Sequence, residues 1–215
     1  MGVESELELN VQIATVVLQR VPSFKVGAVL YKGIEIAGSP QMLKGRLRLF
    51  QESLFFDFAD RKLSDEPAIK EWEETRAKLD PSFSGRQTSL EWLLADIQRQ
   101  RYIESADSAT DLSRFFSLKY SIPVHIYDAR TIKGPVRIEM GGKEDLLAVS
   151  DESGIFGSLS EHSNRRPVKT ETKDALQLVF FRPSTPKDEA SRLLEALTKM
   201  FEQIHGGEHI SAIIP

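Results

Sequence analysis

Pro123-Val124-His125-Ile126-Tyr127-Asp128 is where the chain changes period. Upstream, apolar residues recur at helical spacing. Leu43, Leu47, Phe50 and Leu54 follow Ser39-Pro40, which reads as an N-cap with proline at the first helical position. Ser64-Asp65-Glu66-Pro67 opens a second helix, with Ile69, Trp72 and Arg76 on related faces. Thr88 with Glu91 forms a capping box ahead of Leu90, Leu93, Leu94 and Ile97. Ser108 with Asp111 repeats that pattern before Leu112, Phe115 and Phe116. Downstream of Pro123 the apolar residues fall into short runs instead. Val124 to Tyr127, Val136 to Met140, Leu146 to Val149 and Leu176 to Phe181 read as strands, separated by Lys133-Gly134-Pro135, Gly141-Gly142 and Ser153-Gly154.

The two ends complete the pattern. Leu7, Leu9, Val11 and Ile13 alternate with polar residues as in a half-buried strand, and Val26 to Tyr31 forms a second strand. A closing helix starts at Thr185-Pro186, buries Leu193, Leu194, Leu197, Phe201 and Ile204, and stops at Gly206-Gly207. Residues 57–67 read as loop, and residues 208–215 as a flexible polar tail. Strands, then helices, then strands, then a helix predicts an α+β fold with mixed or antiparallel sheets flanked by helices. No glycine-rich turn follows a strand, which disfavours a doubly wound nucleotide fold. The 215 residues read as a single domain over 1–215.

Composition narrows the function. The chain has no cysteine, which excludes disulfides, thiolate zinc sites and cysteine nucleophiles, and makes a reducing cytoplasm the expected compartment. The net charge of −4 disfavours coating duplex nucleic acid, so no DNA partner is expected, while a local grip on an RNA end stays open. No signal peptide or membrane-spanning run is expected. There is no nucleophile elbow, phosphate loop or His-Glu-x-x-His, and no cofactor is expected. His205 and His209 have helical metal-ligand spacing, but Gly206-Gly207 between them argues against a metal site. His125 on an apolar strand reads either as a satisfied structural histidine or as a proton carrier. In His162-Ser163-Asn164-Arg165-Arg166-Pro167-Val168-Lys169-Thr170, Arg165, Arg166 and Lys169 could hold phosphates, or the segment is a solvated loop. Lys44-Gly45-Arg46-Leu47-Arg48 and Arg99-Gln100-Arg101 read as solvated helix faces.

A series of runs, in order, resembles a known family. Ile69 to Arg76 carries a Trp and an Arg on one helix. Pro81-Ser82 and Ser89-Leu90-Glu91-Trp92-Leu93 follow. Then come Asp111-Leu112-Ser113-Arg114, Ser117-Leu118, Pro123 to Asp128, Ile132-Lys133-Gly134, Gly142-Lys143-Glu144, Asp151-Glu152-Ser153-Gly154 and His162-Ser163-Asn164-Arg165-Arg166 with Thr172. From about residue 20 to 207 this resembles the B3/B4 domain of the bacterial phenylalanyl-tRNA synthetase beta subunit in a standalone form. That domain hydrolyses a wrong amino acid, such as tyrosine, from tRNA.

The resemblance implies a B3/B4-like fold and a trans-acting aminoacyl-tRNA deacylase whose partner is an aminoacylated tRNA 3′ end, without cofactor or metal. By position, His125 matches the editing-site histidine, Ser113 a pocket threonine and Pro123 a pocket proline. The implied catalytic pair is His125 and Ser113. Arg114, Pro123, Glu144, His162 and Ser163 would contact the substrate, and Arg165, Arg166 and Lys169 the tRNA. Two departures stand out: the family's Asn is Arg114 here, and the Glu that reads a tyrosine hydroxyl has no match in Ala175-Leu176-Gln177-Leu178-Val179. A non-catalytic module that binds tRNA ends or a small ligand is the alternative, and a small-molecule hydrolase on the same fold is a third.

Overall fold

The computed structural model describes residues 9–83, 86–141, 147–160 and 165–215. It is α+β, with two four-stranded sheets flanked by helices. The elements are β1 (Val11–Ile13), α1 (Thr15–Arg20), β2 (Lys25–Lys32), α2 (Gln41–Phe58), α3 (Pro67–Leu79), α4 (Ser89–Gln98), α5 (Ser108–Tyr120), β3 (Val124–Asp128), β4 (Val136–Met140), β5 (Leu147–Asp151), β6 (Gly154–Ser158), β7 (Ala175–Phe181), α6 (Lys187–His205) and β8 (Glu208–Ile214). One sheet has the order β1-β4-β5-β6, with β1 parallel to β4 and the other pairs antiparallel. The other, β3-β7-β2-β8, is antiparallel throughout.

The second sheet is the centre of the core. Every residue of β7 is buried, as are the six interior residues of β2. This explains why both read as continuous apolar runs rather than alternating ones. Trp72, Tyr31, Tyr127, Phe116, Phe156, Phe180, Phe181 and Phe201 are essentially inaccessible and fill the space between layers. No helix among the described residues is long and apolar enough to cross a membrane.

Several sequence expectations need correction. The tail is strand β8, paired with β2 from Val26↔Ile214 to Lys32↔Glu208. Gly206 (φ 65°) and Gly207 (φ 76°) reverse the chain into it, and a Cβ on Gly207 would meet the Lys32 carbonyl oxygen at 2.4 Å. Glu152-Ser153 is the tip of a hairpin whose second arm, β6, starts at Gly154. The register of β5 against β6 shifts between Val149 and Ser150. α1 was not foreseen, and it buries Val17 alone. Of the first predicted strand only Val11–Ile13 pairs, and Leu7 lies outside the described residues. α2 extends to Phe58, two residues into the expected loop.

The caps also differ. Pro40 and Pro186 occupy the N-cap positions, not Ser39 and Thr185. Asp107, not Ser108, caps α5, accepting from the Ala109 and Thr110 amides. The serine and aspartate offered as caps have other partners. Asp111 is wholly buried and accepts from the Ser39 and Ser105 hydroxyls and the Ala106 amide. A buried carboxylate needs such donors, so the tertiary network takes Ser39 away from capping. Thr88 and Glu91 form the expected capping box.

Candidate functional site

β3 is an edge strand, and a cavity of about 330 Å³ lies against its free side. The pleat sends His125 to one face of the strand and Val124 and Ile126 to the other. All three line the cavity, so it wraps around the strand edge. The first turn of α4 contributes Ser89, and Leu93 follows one turn later. α5 contributes Asp107, Thr110, Ser113 and Arg114, and Pro167 and Val168 form the remaining wall. The starts of two helices therefore meet at the cavity, that of α5 carrying the Asp107 carboxylate on its first amides.

Ser89 is held from several directions. Its amide donates to the Leu159 carbonyl at 3.0 Å. Thr88 and Glu91 fix the helix start beneath it. Glu91 is in turn gripped bidentately by Arg76, with 2.9 Å from Nη2 to Oε1 and 2.5 Å from Nη1 to Oε2. The Ser89 hydroxyl lies 2.9 Å from His125 Nε2. His125 is buried between Tyr127, whose ring centroid is 6.4 Å away, and the Phe180 ring edge. Burial without a charged partner lowers its pKa to about 4, so the imidazole is neutral at physiological pH. Among the described residues, Nδ1 makes no hydrogen bond.

Ser113 is tied into a buried chain. Its hydroxyl donates to the Ala109 carbonyl at 2.8 Å and accepts from Gln177 Nε2 at 2.8 Å. Gln177 Oε1 accepts from the Tyr31 hydroxyl at 2.9 Å. The Ser113 proton is thus committed, and this side chain acts by position and by a spare lone pair rather than as an acid. Arg114 lies at the cavity wall, partly exposed, with Nη1 3.8 Å from Asp111 Oδ1 and 3.4 Å from the Glu104 carbonyl.

The structure thus brings His125, Ser113 and Arg114 together. Pro123 immediately precedes β3, its carbonyl accepting from the Phe180 amide, and is not among the lining residues. Arg165 and Lys169 are exposed on the strand-flanking segment that supplies Pro167 and Val168. Arg166 pairs with buried Asp151, bonds the Thr131 carbonyl and stacks over Phe156. Burial works to raise the Asp151 pKa, but Arg166 and the Lys133 and Ser153 donors outweigh it and hold the carboxyl below the usual range. Glu144, His162 and Ser163 lie outside the described residues. Ser89, Asp107 and Thr110 were not assigned a site role from sequence. The Thr88–Glu91 box does place Ser89 in a first helical turn, but nothing local shows that β3 arrives opposite it.

Among the described residues no three metal-ligating side chains converge. His205 bonds the Ser108 hydroxyl and the Phe201 carbonyl, and His209 pairs with Glu202.

No family model matches the chain. Among solved structures, an N-terminal fragment of the phenylalanyl-tRNA synthetase beta-subunit from Pyrococcus horikoshii is similar over 97% of this chain, at 12% identity and a TM-score of 0.37. This chain spans about half of that fragment, 55%. Among curated proteins, the uncharacterized protein YhzB of Bacillus subtilis (strain 168) is 52% identical over 201 residues, covering 94% of this chain and 97% of its own. At that identity and coverage, the chain belongs to the same family as YhzB.

Proposed function

We propose that the protein is a trans-acting aminoacyl-tRNA deacylase, which hydrolyses the ester of a mischarged amino acid at a tRNA 3′ end in the cavity beside β3. One observation carries this reading. Three of the residues designated by resemblance to the B3/B4 editing domain, Ser113, Arg114 and His125, come from two separate elements and line one cavity large enough for an amino-acid side chain.

The chemistry fits the groups present. An aminoacyl ester is already activated, so a held water and stabilisation of the oxyanion suffice. With Nε2–H donating to the Ser89 hydroxyl, neutral His125 can accept a proton from water on Nδ1. Attack places negative charge on the carbonyl oxygen, where the start of α4 is stabilising, since the first amides of α5 are already taken by the Asp107 carboxylate. The tetrahedral intermediate collapses as the ribose oxygen leaves, taking back from His125 the proton that water gave up. Ser113 and the apolar walls from Leu93, Val124, Pro167 and Val168 position the side chain of the amino acid. Asp107 and Arg114 offer one carboxylate and one cation for its polar ends. Exposed Arg165 and Lys169 contact terminal phosphates. So local a grip needs few cations and suits a net charge of −4.

A non-catalytic binding module is the second reading. It is favoured by the absence, among the described residues, of a carboxylate on His125 Nδ1 to raise its basicity.

The test uses 3′-aminoacylamino-3′-deoxyadenosine, whose amide cannot be hydrolysed as the ester is, with a range of amino acids. The expected result is saturable movement of the His125 ring resonances, with the best-bound amino acid naming the specificity. Saturable binding that leaves His125 unmoved would place the ligand elsewhere and overturn the assignment.

A further inference from the structure

Pro167 and Val168, the outer wall of the cavity, belong to a strap, residues 165–172, that crosses from the β5–β6 hairpin to the end of β3. Among the described residues neither wall residue makes a hydrogen bond of its own, so both are placed by what pins the strap on either side. Downstream, the Thr172 hydroxyl donates to Asp128 Oδ2 at 2.7 Å and accepts from the Lys169 amide at 3.0 Å. Upstream, the Arg165 amide donates to the Phe156 carbonyl of β6 at 2.8 Å, and the Arg166 carbonyl accepts from the Asp128 amide at 3.0 Å.

The Arg166 side chain is the firmest of these pins. Nη1 donates to Asp151 Oδ2 at 2.5 Å and to the Thr131 carbonyl at 2.6 Å. Nη2 donates to Asp151 Oδ1 at 3.1 Å and to the Ser153 hydroxyl at 2.5 Å, and the guanidinium lies 4.6 Å from the centre of the Phe156 ring. The Asp151 side chain is wholly buried and is itself held by the Lys133 and Ser153 amides. A forked, charge-assisted pair fixes direction as well as distance. The next residue is Pro167, whose ring fixes φ and passes that placement on to the wall. Arg165 and Lys169, exposed on the same strap, are carried with it. With four donors engaged inside the protein, Arg166 serves the wall rather than a phosphate. We propose that Arg166, paired to Asp151, is a positioning residue that sets Pro167 and Val168 against the cavity, and Arg165 and Lys169 beside it, without touching the ligand. This rests on the deacylase reading for the identity of the ligand, and on the hydrogen bonds alone for the placement of the wall.

The test replaces the pair with neutral partners of similar shape, Arg166→Gln with Asp151→Asn, which strands no buried charge as Arg166→Ala would. The methyl resonances of Val168 report the wall, and those of Val26, buried in β2, report the rest of the core. Binding of the 3′-aminoacylamino-3′-deoxyadenosine that the wild type holds best reports the cavity. In the double variant the Val168 resonances are expected to move while those of Val26 stay, and affinity to fall by about 10–100-fold. On a tRNA that the wild type deacylates, the loss falls on KM rather than kcat, the reverse of a variant that only lowers the amount of folded protein. Arg166→Lys, which keeps the charge but neither the fork nor the stacking plane, falls between. Unmoved Val168 resonances overturn the inference. So do Val168 and Val26 moving alike, which marks a merely structural role, an unchanged affinity, or a loss confined to kcat. If the wild type binds no such analogue, the deacylase reading fails, and the Val168 resonances alone decide the placement of the wall.

Discussion

His125→Ala is expected to slow release of the amino acid from a mischarged tRNA by about 10²–10⁴-fold, the span over which a positioned acid or base contributes. The loss should fall on kcat more than on KM, since the cavity walls and the cationic segment remain. The variant stays folded, because His125 sits at a cavity wall and its hydrogen bond is to one serine hydroxyl. Ser89→Ala, which frees the ring without removing it, should cost less than His125→Ala. The pH dependence is distinctive. With a pKa of about 4, His125 is unprotonated at neutral pH. The ratio of wild-type to variant rates should therefore be flat from about pH 6 to about pH 8 and shrink only as pH falls towards 4. Stability follows the same group. Its folded pKa lies below the ordinary value of 6.5, so its contribution is present above 6.5 and is lost as pH falls through 4. His205, lowered mainly by burial, acts in the same direction. A ratio that titrates near 7 would mean that another group is the base.

Arg76→Ala is expected to destabilise the protein by about 3–5 kcal/mol, which for a chain of this size lowers Tm by roughly 6–20 °C. Both members of the Arg76–Glu91 pair are almost inaccessible, at 5% and 7% side-chain exposure, so removing the guanidinium strands a carboxylate in the interior. Glu91 also accepts from the Thr88 amide and hydroxyl, and so couples the pair to the start of α4 and thereby to Ser89. Arg76→Met with Glu91→Leu should recover part of the loss by removing the unpaired charge, but not all of it, because the capping box is lost as well. Thermal unfolding followed by circular dichroism reads both variants. An Arg76→Ala Tm within 2 °C or so of wild type would contradict the account.

Much of the fold was legible because its main elements obey simple periods. The apolar runs of β2 and β7, the helical stripes of α3 to α6 and the Thr88–Glu91 box are local signals, and each element formed where its signal lay. What escaped has a non-local cause. β8 is a strand because Gly206-Gly207 turn it onto the open edge of β2, where its backbone pairs along seven residues. Ser39 and Ser108 are good caps in isolation, but buried Asp111 and His205 recruit them. The site divides in the same way. His125, Ser113 and Arg114 were reached through the resemblance of their motifs. Ser89 was not, because its role depends on β3 arriving opposite the start of α4, 36 residues away in sequence.

The most direct measurement is single-turnover release of amino acid from a panel of tRNAs, each carrying a correct or a wrong amino acid, with wild-type protein. The account predicts fast, selective release from one mischarged tRNA and little from its correctly charged counterpart. No release from any of them, by protein that still binds tRNA, would contradict the deacylase reading and leave a binding module in its place.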